Sequence, residues 1–440
     1  MRQSQGDRGW IRQRHLMPRR LTNKNDLLLE VRRRSNLRSA WQVVRSNGLS
    51  SNSGRKTKSE IAEFDRQADR SLETLYRGLQ RRQYSFHPAV GWAQPREGKA
   101  PRPVVIACVS DRIVQRAILQ VIQEQPLVRS YVKHSASFGG LAGIGIRDAL
   151  QRVADSIREG KVWVVRSDIE GFFTKIPRAT VVRVIGSLVP DRMFIEFFAQ
   201  GMETELSNMA ELCDSVELFP ILDTGVAQGC CLSPLAGNVL LHEFDEQMNR
   251  NGVTCLRFID DFLILARTNQ EVRRAFSHAQ KLLKKFKMRA YLPDESKTKA
   301  HLGHANNGFD FLGCRIATGT ILPSKKSIKK LMERISQIAD AGIQSMAAVA
   351  VRGRMKRSDG LVPALREIDD TVRGWADSYR FCGDQPVFRS VDRDVDQIVS
   401  RLVRKYLVAT EQANALLRRR LLGVHVIQDT KFDPIIWKSV

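Results

Sequence analysis

Apolar positions along the chain alternate between helical and strand spacing. From Ile61 to Arg82, the residues Ile61, Phe64, Ala68, Leu72, Leu75 and Leu79 share one face of a 3.6-residue repeat and predict a helix. The polar, Ser- and Gly-rich stretch from Ser46 to Ser59 predicts a loop before it, and the first thirty-odd residues read as basic and irregular. Pro95 to Pro103 predicts a basic turn into the strand Val104-Val105-Ile106, after which Asp111 is placed to cap a helix running through Val114, Ile118 and Val121. Val162 to Val165 predicts a short buried strand that ends at Asp168, and Leu235 to Phe244 a helix entered through a Gly-rich turn. Ser324 to Ile338 predicts a basic amphipathic helix with Ile328, Leu331, Ile335 and Ile338 at helical spacing; stretches near Leu365 to Tyr379 and Val391 to Tyr406 complete a helical tail.

One break in the apolar pattern carries chemistry. In Arg257-Phe258-Ile259-Asp260-Asp261-Phe262-Leu263-Ile264-Leu265, two adjacent carboxylates stand between runs of large apolar residues. Neighbours on a strand point to opposite faces, so the pair predicts a tight hairpin turn between two buried strands. An Asp-Asp dipeptide alone is equally an ordinary solvated bend. Asp168 changes the weighting, because it ends a second apolar strand. Two strands that deliver carboxylates to one sheet edge meet the needs of nucleotidyl transfer, in which two divalent ions serve the attacking 3′-oxygen and the triphosphate. Magnesium takes hard oxygen ligands and is commonly held by one or two carboxylates plus substrate phosphates, with manganese as a substitute.

Composition narrows the partner. The 440 residues hold 71 Lys+Arg against 47 Asp+Glu, a net charge of +24, which favours a polyanion and nucleic acid first. Hydrophobic residues at 42% suffice for a core, which excludes a disordered basic tail. No apolar run approaches a membrane span, and the Arg-rich start lacks the apolar stretch of a secretory signal, although Arg12 to Arg34 shares some features of a transit peptide. The cysteines Cys108, Cys213, Cys230, Cys231, Cys255, Cys314 and Cys382 are odd in number and form no Cys-x-x-Cys pair. They predict buried thiols in a reducing cytosol, not disulfides or a zinc site. His301 and His304 read as loop residues.

Several segments then follow in a telling order. Ser167-Asp168-Ile169-Glu170-Gly171-Phe172-Phe173 sets an aromatic pair after an aspartate, and Gly225-Val226-Ala227-Gln228-Gly229-Cys230-Cys231-Leu232-Ser233-Pro234-Leu235-Ala236-Gly237-Asn238 opens a helix. Phe258-Ile259-Asp260-Asp261, Glu295-Ser296-Lys297-Thr298 and Gly308-Phe309-Asp310-Phe311-Leu312-Gly313 come next, with Arg102-Pro103 and Asp111 to Ala117 upstream and Thr371-Val372-Arg373-Gly374-Trp375-Ala376 downstream. In this order the chain resembles bacterial reverse transcriptases of the group II intron and retron type. The resemblance implies an α+β, right-hand polymerase fold: a basic N-terminal extension over residues 1–37, an N-terminal region and fingers over 38–160, a palm with an antiparallel sheet and helices on one face over 161–320, and a helical thumb and C-terminal region over 321–440.

By that resemblance Asp168, Asp260 and Asp261 are the catalytic metal ligands, helped by the backbone carbonyl of Ile169, and the cofactor is Mg2+ with Mn2+ as an alternative. Phe173 falls at the family's steric gate against a 2′-hydroxyl; otherwise it is a core aromatic. Gln228 and Gly229 line the nucleotide pocket, or else simply open a helix. Arg102 and Lys99 suit the triphosphate, and Lys297 the departing pyrophosphate, each against the alternative of a solvated charge. Arg32, Arg33 and Arg34 of the N-terminal segment suit phosphate contact with a structured RNA, or a solubilising arm. Lys325, Lys326, Lys329 and Lys330 suit the template–primer duplex.

Departures from the family pattern shape the rest. Leu141 and Ile144 stand where two arginines are usual, Ala227 replaces a proline, and Phe258-Ile259 replaces Tyr-Ala. No His- or Cys-bearing endonuclease pattern follows the thumb-like stretch. The chain is longer than a minimal retron enzyme and keeps an intron-type thumb, a combination that resembles the divergent reverse transcriptases of phage defence. The expected partners are therefore a structured non-coding RNA template, a DNA primer or product and deoxynucleoside triphosphates, with no membrane. An intron maturase, a template-independent or protein-primed DNA synthesiser, and an RNA-binding protein without synthesis remain the alternatives.

Overall fold

The computed structural model describes residues 26–50, 54–96, 99–250, 252–296, 298–352, 360–383, 385–411 and 413–430. Strands β1 (Val90–Arg96) and β2 (Lys99–Ile106) make a separate hairpin. Strands β3 (Trp163–Asp168), β4 (Thr254–Phe258), β5 (Asp261–Ala266) and β6 (Ala300–His304) form an antiparallel sheet in the order β4-β5-β3-β6, and β7 (Phe309–Phe311), β8 (Cys314–Ala317) and β9 (Thr320–Pro323) form a small third sheet.

The apolar runs of β3 and β5 are continuous because both faces of the central sheet are covered. Val165, Cys255, Phe262 and Ile264 pack into a core with the helices Ser233–Met248 and Asn269–Lys284, which supply Val239, Leu240, Val272 and Phe276. Val164, Leu256, Leu263 and Leu265 point the other way, onto Leu150 and Val153 of helix Ile146–Arg158 and onto Phe309, Phe311 and Ile316 of the small sheet. Successive residues on a strand thus feed two cores. A third core joins the helices Lys325–Arg352, Leu361–Tyr379 and Gln385–Glu411 through Leu331, Ile335, Ile368 and Leu402. These helices extend the predicted tail helices at their ends.

Several local expectations are corrected. The stretch Ser46 to Ser59 is mostly helical: one helix runs Arg34–Leu49 and the next begins at Arg55. Gly48 is there for close helix approach, since a Cβ on it would lie 2.5 Å from Ile61 Cγ1. The helix expected from Ile61 to Arg82 is two, Arg55–Arg66 and Ala68–Gln80, with Gln67 between them at φ −130° and ψ 30°. The basic start is not irregular throughout. Leu27–Arg32 is a helix capped by the Asp26 side chain, Leu27 N–H donates to Asp191 Oδ2 at 2.8 Å, and Leu27 and Val31 are buried; Arg12 and its basic neighbours lie outside the described residues. The basic turn is tighter than expected, because Pro95 and Arg96 belong to β1 and β2 already begins at Lys99.

Asp111 does not cap its helix, which starts at Val109 after Cys108. Its buried carboxylate instead accepts from Tyr84 Oη at 2.6 Å and from His87 N at 2.9 Å, and lies 3.0 Å from His87 Nδ1. His301 and His304 are strand residues of β6, opposite Arg166 and Trp163. All seven cysteines are free, but Cys108 and Cys213 are exposed and only Cys255, Cys314 and Cys382 are buried. Among the described residues no helix is long and apolar enough to cross a membrane.

Replacing Asp111 strands the donors that it satisfies. Asp111→Ala is expected to destabilise the fold by about 2–4 kcal/mol, read from the midpoint of chemical denaturation.

Candidate active site

Antiparallel pairing of β3 with β5 sets Asp168 directly opposite Asp261, and the β4–β5 turn places Asp260 beside them. The turn is drawn onto the end of β3 by Ile169 N–H, which donates to the Asp260 carbonyl at 3.0 Å. On its other side the chain after β3 bridges Ala290: Tyr291 N–H donates to the Asp168 carbonyl at 3.1 Å and Glu170 N–H to the Arg289 carbonyl at 2.9 Å, which leaves the Ile169 carbonyl outside that pair. Three carboxylates from two strand ends therefore meet at one sheet edge. Ile259, immediately before them, is left-handed at φ 63°, a costly conformation for a β-branched residue.

Gathering these acids has an electrostatic cost. Burial, followed by the nearby Asp168 charge, pushes the Asp261 carboxyl up to about 8, with Asp260 adding to the rise and Arg166 and Lys299 opposing it. Asp260 is raised for the same leading reasons, burial and then Asp168, against the pull of Lys299 and Arg102. Lys299 Nζ forms an ion pair with Asp168 Oδ2. Asp261 Oδ1 is buried and has no hydrogen-bond partner among the described residues. A concentration of hard oxygen donors, mutually repelling and one of them orphaned, fits a divalent cation of the magnesium class.

Around the acids, Arg102 Nε donates to Gln228 Oε1 at 2.7 Å, and Val105 N–H on the same strand donates to the Gln228 carbonyl at 2.8 Å. Gly229 makes this docking feasible: at φ 122°, a Cβ on it would lie 2.5 Å from the Val105 carbonyl oxygen. Phe173 is half-buried in the short helix Phe172–Lys175, its ring 5.3 Å from that of Phe172, and its carbonyl accepts from Val226 N–H at 2.7 Å. The structure thus brings Arg102, Gln228 and Gly229 together beside the acids, with Phe173 bonded to Val226 of the irregular segment that leads to Gln228.

Other expected residues fall elsewhere. Lys297 and the side chain of Lys99 lie outside the described residues. Arg33 pairs with Glu30 at 2.7 Å, Arg34 pairs with Glu73 at 3.0 Å and stacks 3.6 Å over Tyr76, and Arg32 lines a cavity beside Met193 and Phe197. Lys325, Lys326, Lys329 and Lys330 are exposed at the start of helix Lys325–Arg352, where Lys329 reaches Glu333 at 3.7 Å. Three residues at the site went unassigned in the sequence. Lys299 and Arg166 reach it through the sheet pairing, and Arg257 is a buried charge in an apolar strand, a signal that was legible. Against the expectation of no metal-binding cysteine, His87, Cys108 and Asp111 offer ligand atoms within 4.8 Å of one another; the Asp111 carboxylate there already accepts hydrogen bonds from Tyr84 and His87.

The raised Asp261 carboxyl makes stability depend on pH. The folded, metal-free chain keeps a proton up to about pH 8 that the unfolded chain releases near its ordinary value, so this group's contribution is most favourable in acid and declines as pH rises toward 8. The expected slope from this group is about 1.4 kcal/mol per pH unit inside that window. Denaturation in a chelator between pH 5 and 8 should therefore show Asp261→Asn gaining on the wild type as pH rises; parallel curves would contradict it.

Comparisons with known proteins place the chain in a family. The family profile described as "Reverse transcriptase (RNA-dependent DNA polymerase)" matches residues 94–316. Protein YkfC of Escherichia coli (strain K12) is 24% identical over 261 residues, 50% of this chain and 65% of that protein. The group II intron-encoded protein LtrA of Lactococcus lactis subsp. cremoris is 24% identical over 216 residues, 48% of this chain and 34% of that protein, so the chain spans less than two thirds of either relative. The apo telomerase from Candida Tropicalis aligns with a TM-score of 0.42 and 11% identity, over 78% of this chain and 70% of that one. Since the family profile covers half of the chain, from β1 into β8 and with both carboxylate-bearing strands inside it, the chain belongs to the reverse transcriptases, the RNA-directed DNA polymerases.

Proposed function

We propose that this reverse transcriptase extends a primer with deoxynucleoside triphosphates on an RNA template, using Asp168, Asp260 and Asp261 with the Ile169 carbonyl to hold Mg2+, or Mn2+ in its place. The observation that carries the reading is the convergence of three carboxylates at one sheet edge, with a buried Asp261 oxygen that has no partner among the described residues. Divalent ions bound there would activate the primer 3′-oxygen and offset charge on the triphosphate. The chain's own residues bind and orient. Arg102 supplies a planar guanidinium for phosphate oxygens, freed from Gln228 when the substrate arrives, and Lys99 and Lys297 add point charges. Gln228 and Gly229 face the incoming base pair, and Phe173 lies under the sugar.

In this reading β1 and β2 belong to the fingers, the central sheet is the palm, and the helices from Lys325 onward are the thumb. The helix Lys325–Arg352 has no acid in its first turn, so Lys325, Lys326, Lys329 and Lys330 add positive charge to the positive end of the helix dipole. Such an N-terminus suits a phosphate backbone. The described arginines Arg33 and Arg34 are occupied by Glu30 and Glu73, so RNA binding by the N-terminal segment falls chiefly to Arg12, Arg14, Arg19 and Arg20.

The biological setting proposed is phage defence in a bacterial cytoplasm, on a dedicated structured RNA. Support comes from Leu141, Ile144, Ala227 and Phe258-Ile259, which depart from the intron pattern while the acids are kept. Action in intron splicing and mobility is the second reading, favoured by the relative LtrA, a group II intron-encoded protein.

Asp260→Asn with Asp261→Asn is expected to reduce RNA-templated primer extension below detection while the fold persists. Phe173→Ala should admit ribonucleotides in the same assay; unchanged sugar discrimination would remove Phe173 from the pocket. Sequencing RNA and DNA recovered with the protein from its native cell separates the settings. One non-coding RNA with complementary DNA supports defence, intron RNA supports mobility, and DNA with no complementary RNA points to untemplated or protein-primed synthesis.

A further inference from the structure

A buried charge on β4, the outermost strand of the central sheet, is not used by the function above. Arg257 and Asp245 are each 1% exposed and form an ion pair, with Arg257 Nε donating to Asp245 Oδ1 at 2.8 Å. Taking both charges out of water makes such a pair a weak source of stability; an apolar pair of similar volume commonly serves as well. The remaining donors of the guanidinium are spent locally. One end group donates to Ser137 Oγ at 2.9 Å, and the other donates to Asn238 Oδ1 at 3.0 Å and to the Ile259 carbonyl at 2.9 Å.

That last bond reaches the left-handed residue of the β4–β5 turn. The same network also reaches the turn through Gly139. Asn238 Nδ2 donates to the Gly139 carbonyl at 2.9 Å, and Ser137 to Gly139 run along β4, with Phe138 N–H donating to the Arg257 carbonyl at 2.9 Å and Arg257 N–H to the Ala136 carbonyl at 2.8 Å. Gly139 lies so close that a Cβ on it would come within 2.7 Å of Ile259 N. The strained residue is therefore held at its carbonyl by the Arg257 guanidinium and crowded at its nitrogen by Gly139.

We propose that Arg257 is a positioning residue for the metal-binding acids: fixed by Asp245, Asn238 and Ser137, it holds the Ile259 carbonyl and so maintains the left-handed turn that presents Asp260 and Asp261. Without that bond, Ile259 relaxes toward an ordinary negative φ and the two carboxylates leave the place opposite Asp168. This rests on the reading of those acids as metal ligands.

The test uses the full chain and Mn2+ as probe, measured by direct binding and by the Mn2+ concentration that half-saturates primer extension. Arg257→Met with Asp245→Leu removes both buried charges together, which preserves folding better than removing one. The expected result is a thermal midpoint near the wild type and Mn2+ affinity weaker by about 10–100-fold, the usual loss when a ligand's support is removed. Adding Ile259→Gly should restore most of that affinity, because glycine takes a positive φ without being held. Arg257→Lys keeps the charge beside Asp245 but loses the fork that reaches Ile259; it provides a second background for the same rescue. Wild-type Mn2+ affinity in a folded Arg257 variant, or no rescue by Ile259→Gly in either background, overturns the proposal. In a parallel Asp260→Asn, Asp261→Asn control, wild-type Mn2+ binding would instead overturn the metal reading itself.

Discussion

Three carboxylates can share one sheet edge only if the strands that carry them cannot slip. Because side chains alternate along a strand, a shift of one residue between β3 and β5 would turn every apolar side chain to the opposite face. Here both faces are occupied, with Val165, Phe262 and Ile264 in one core and Val164, Leu263 and Leu265 in the other. The apolar packing fixes the register, and the register sets Asp168 against Asp261. Acids that repel one another are held together by hydrophobic burial around them.

The electrostatics follow from that constraint. A chain with a net charge of +24 has abundant cations, yet among the described residues few are brought to the acids: Lys299 pairs with Asp168, while Arg166 and Arg102 act on Asp261 and Asp260 through space. The compensation is incomplete, as the raised Asp261 carboxyl and its orphaned oxygen show. Protonation or a bound cation must supply the remainder. An edge left short of positive charge stays open to metal, whereas fuller neutralisation by lysine would close it.

Much of this was legible in the sequence because it depends on local pattern. The acids at Asp260-Asp261 interrupt apolar runs, Asp168 ends one, and Gln228-Gly229 opens a helix; each signal lies within a few residues. What escaped depends on long-range contact. Gly48 read as loop because its role, to admit Ile61, involves a different helix. Asp111 read as a cap because its partners Tyr84 and His87 lie upstream of a hairpin. Lys299 sits beside Asp168 only because β6 pairs with β3, while Lys297, two residues earlier, carried the motif. The break at Gln67 interrupts a helical face whose spacing continues through it, so periodicity could not show it.

The hairpin shows why local strain and buried charge belong together. A turn built from glycine would adopt the left-handed conformation without strain and would need no contacts to impose it. Ile259 makes the conformation costly, so it persists only where contacts determine it: the Arg257 guanidinium, the Ile169 N–H on the Asp260 carbonyl and the close backbone at Gly139. Each contact comes from a different segment of the chain. The placement of the acids is therefore sensitive to whether the strand, the helix carrying Asn238 and Asp245, and the segment through Ser137 are all seated.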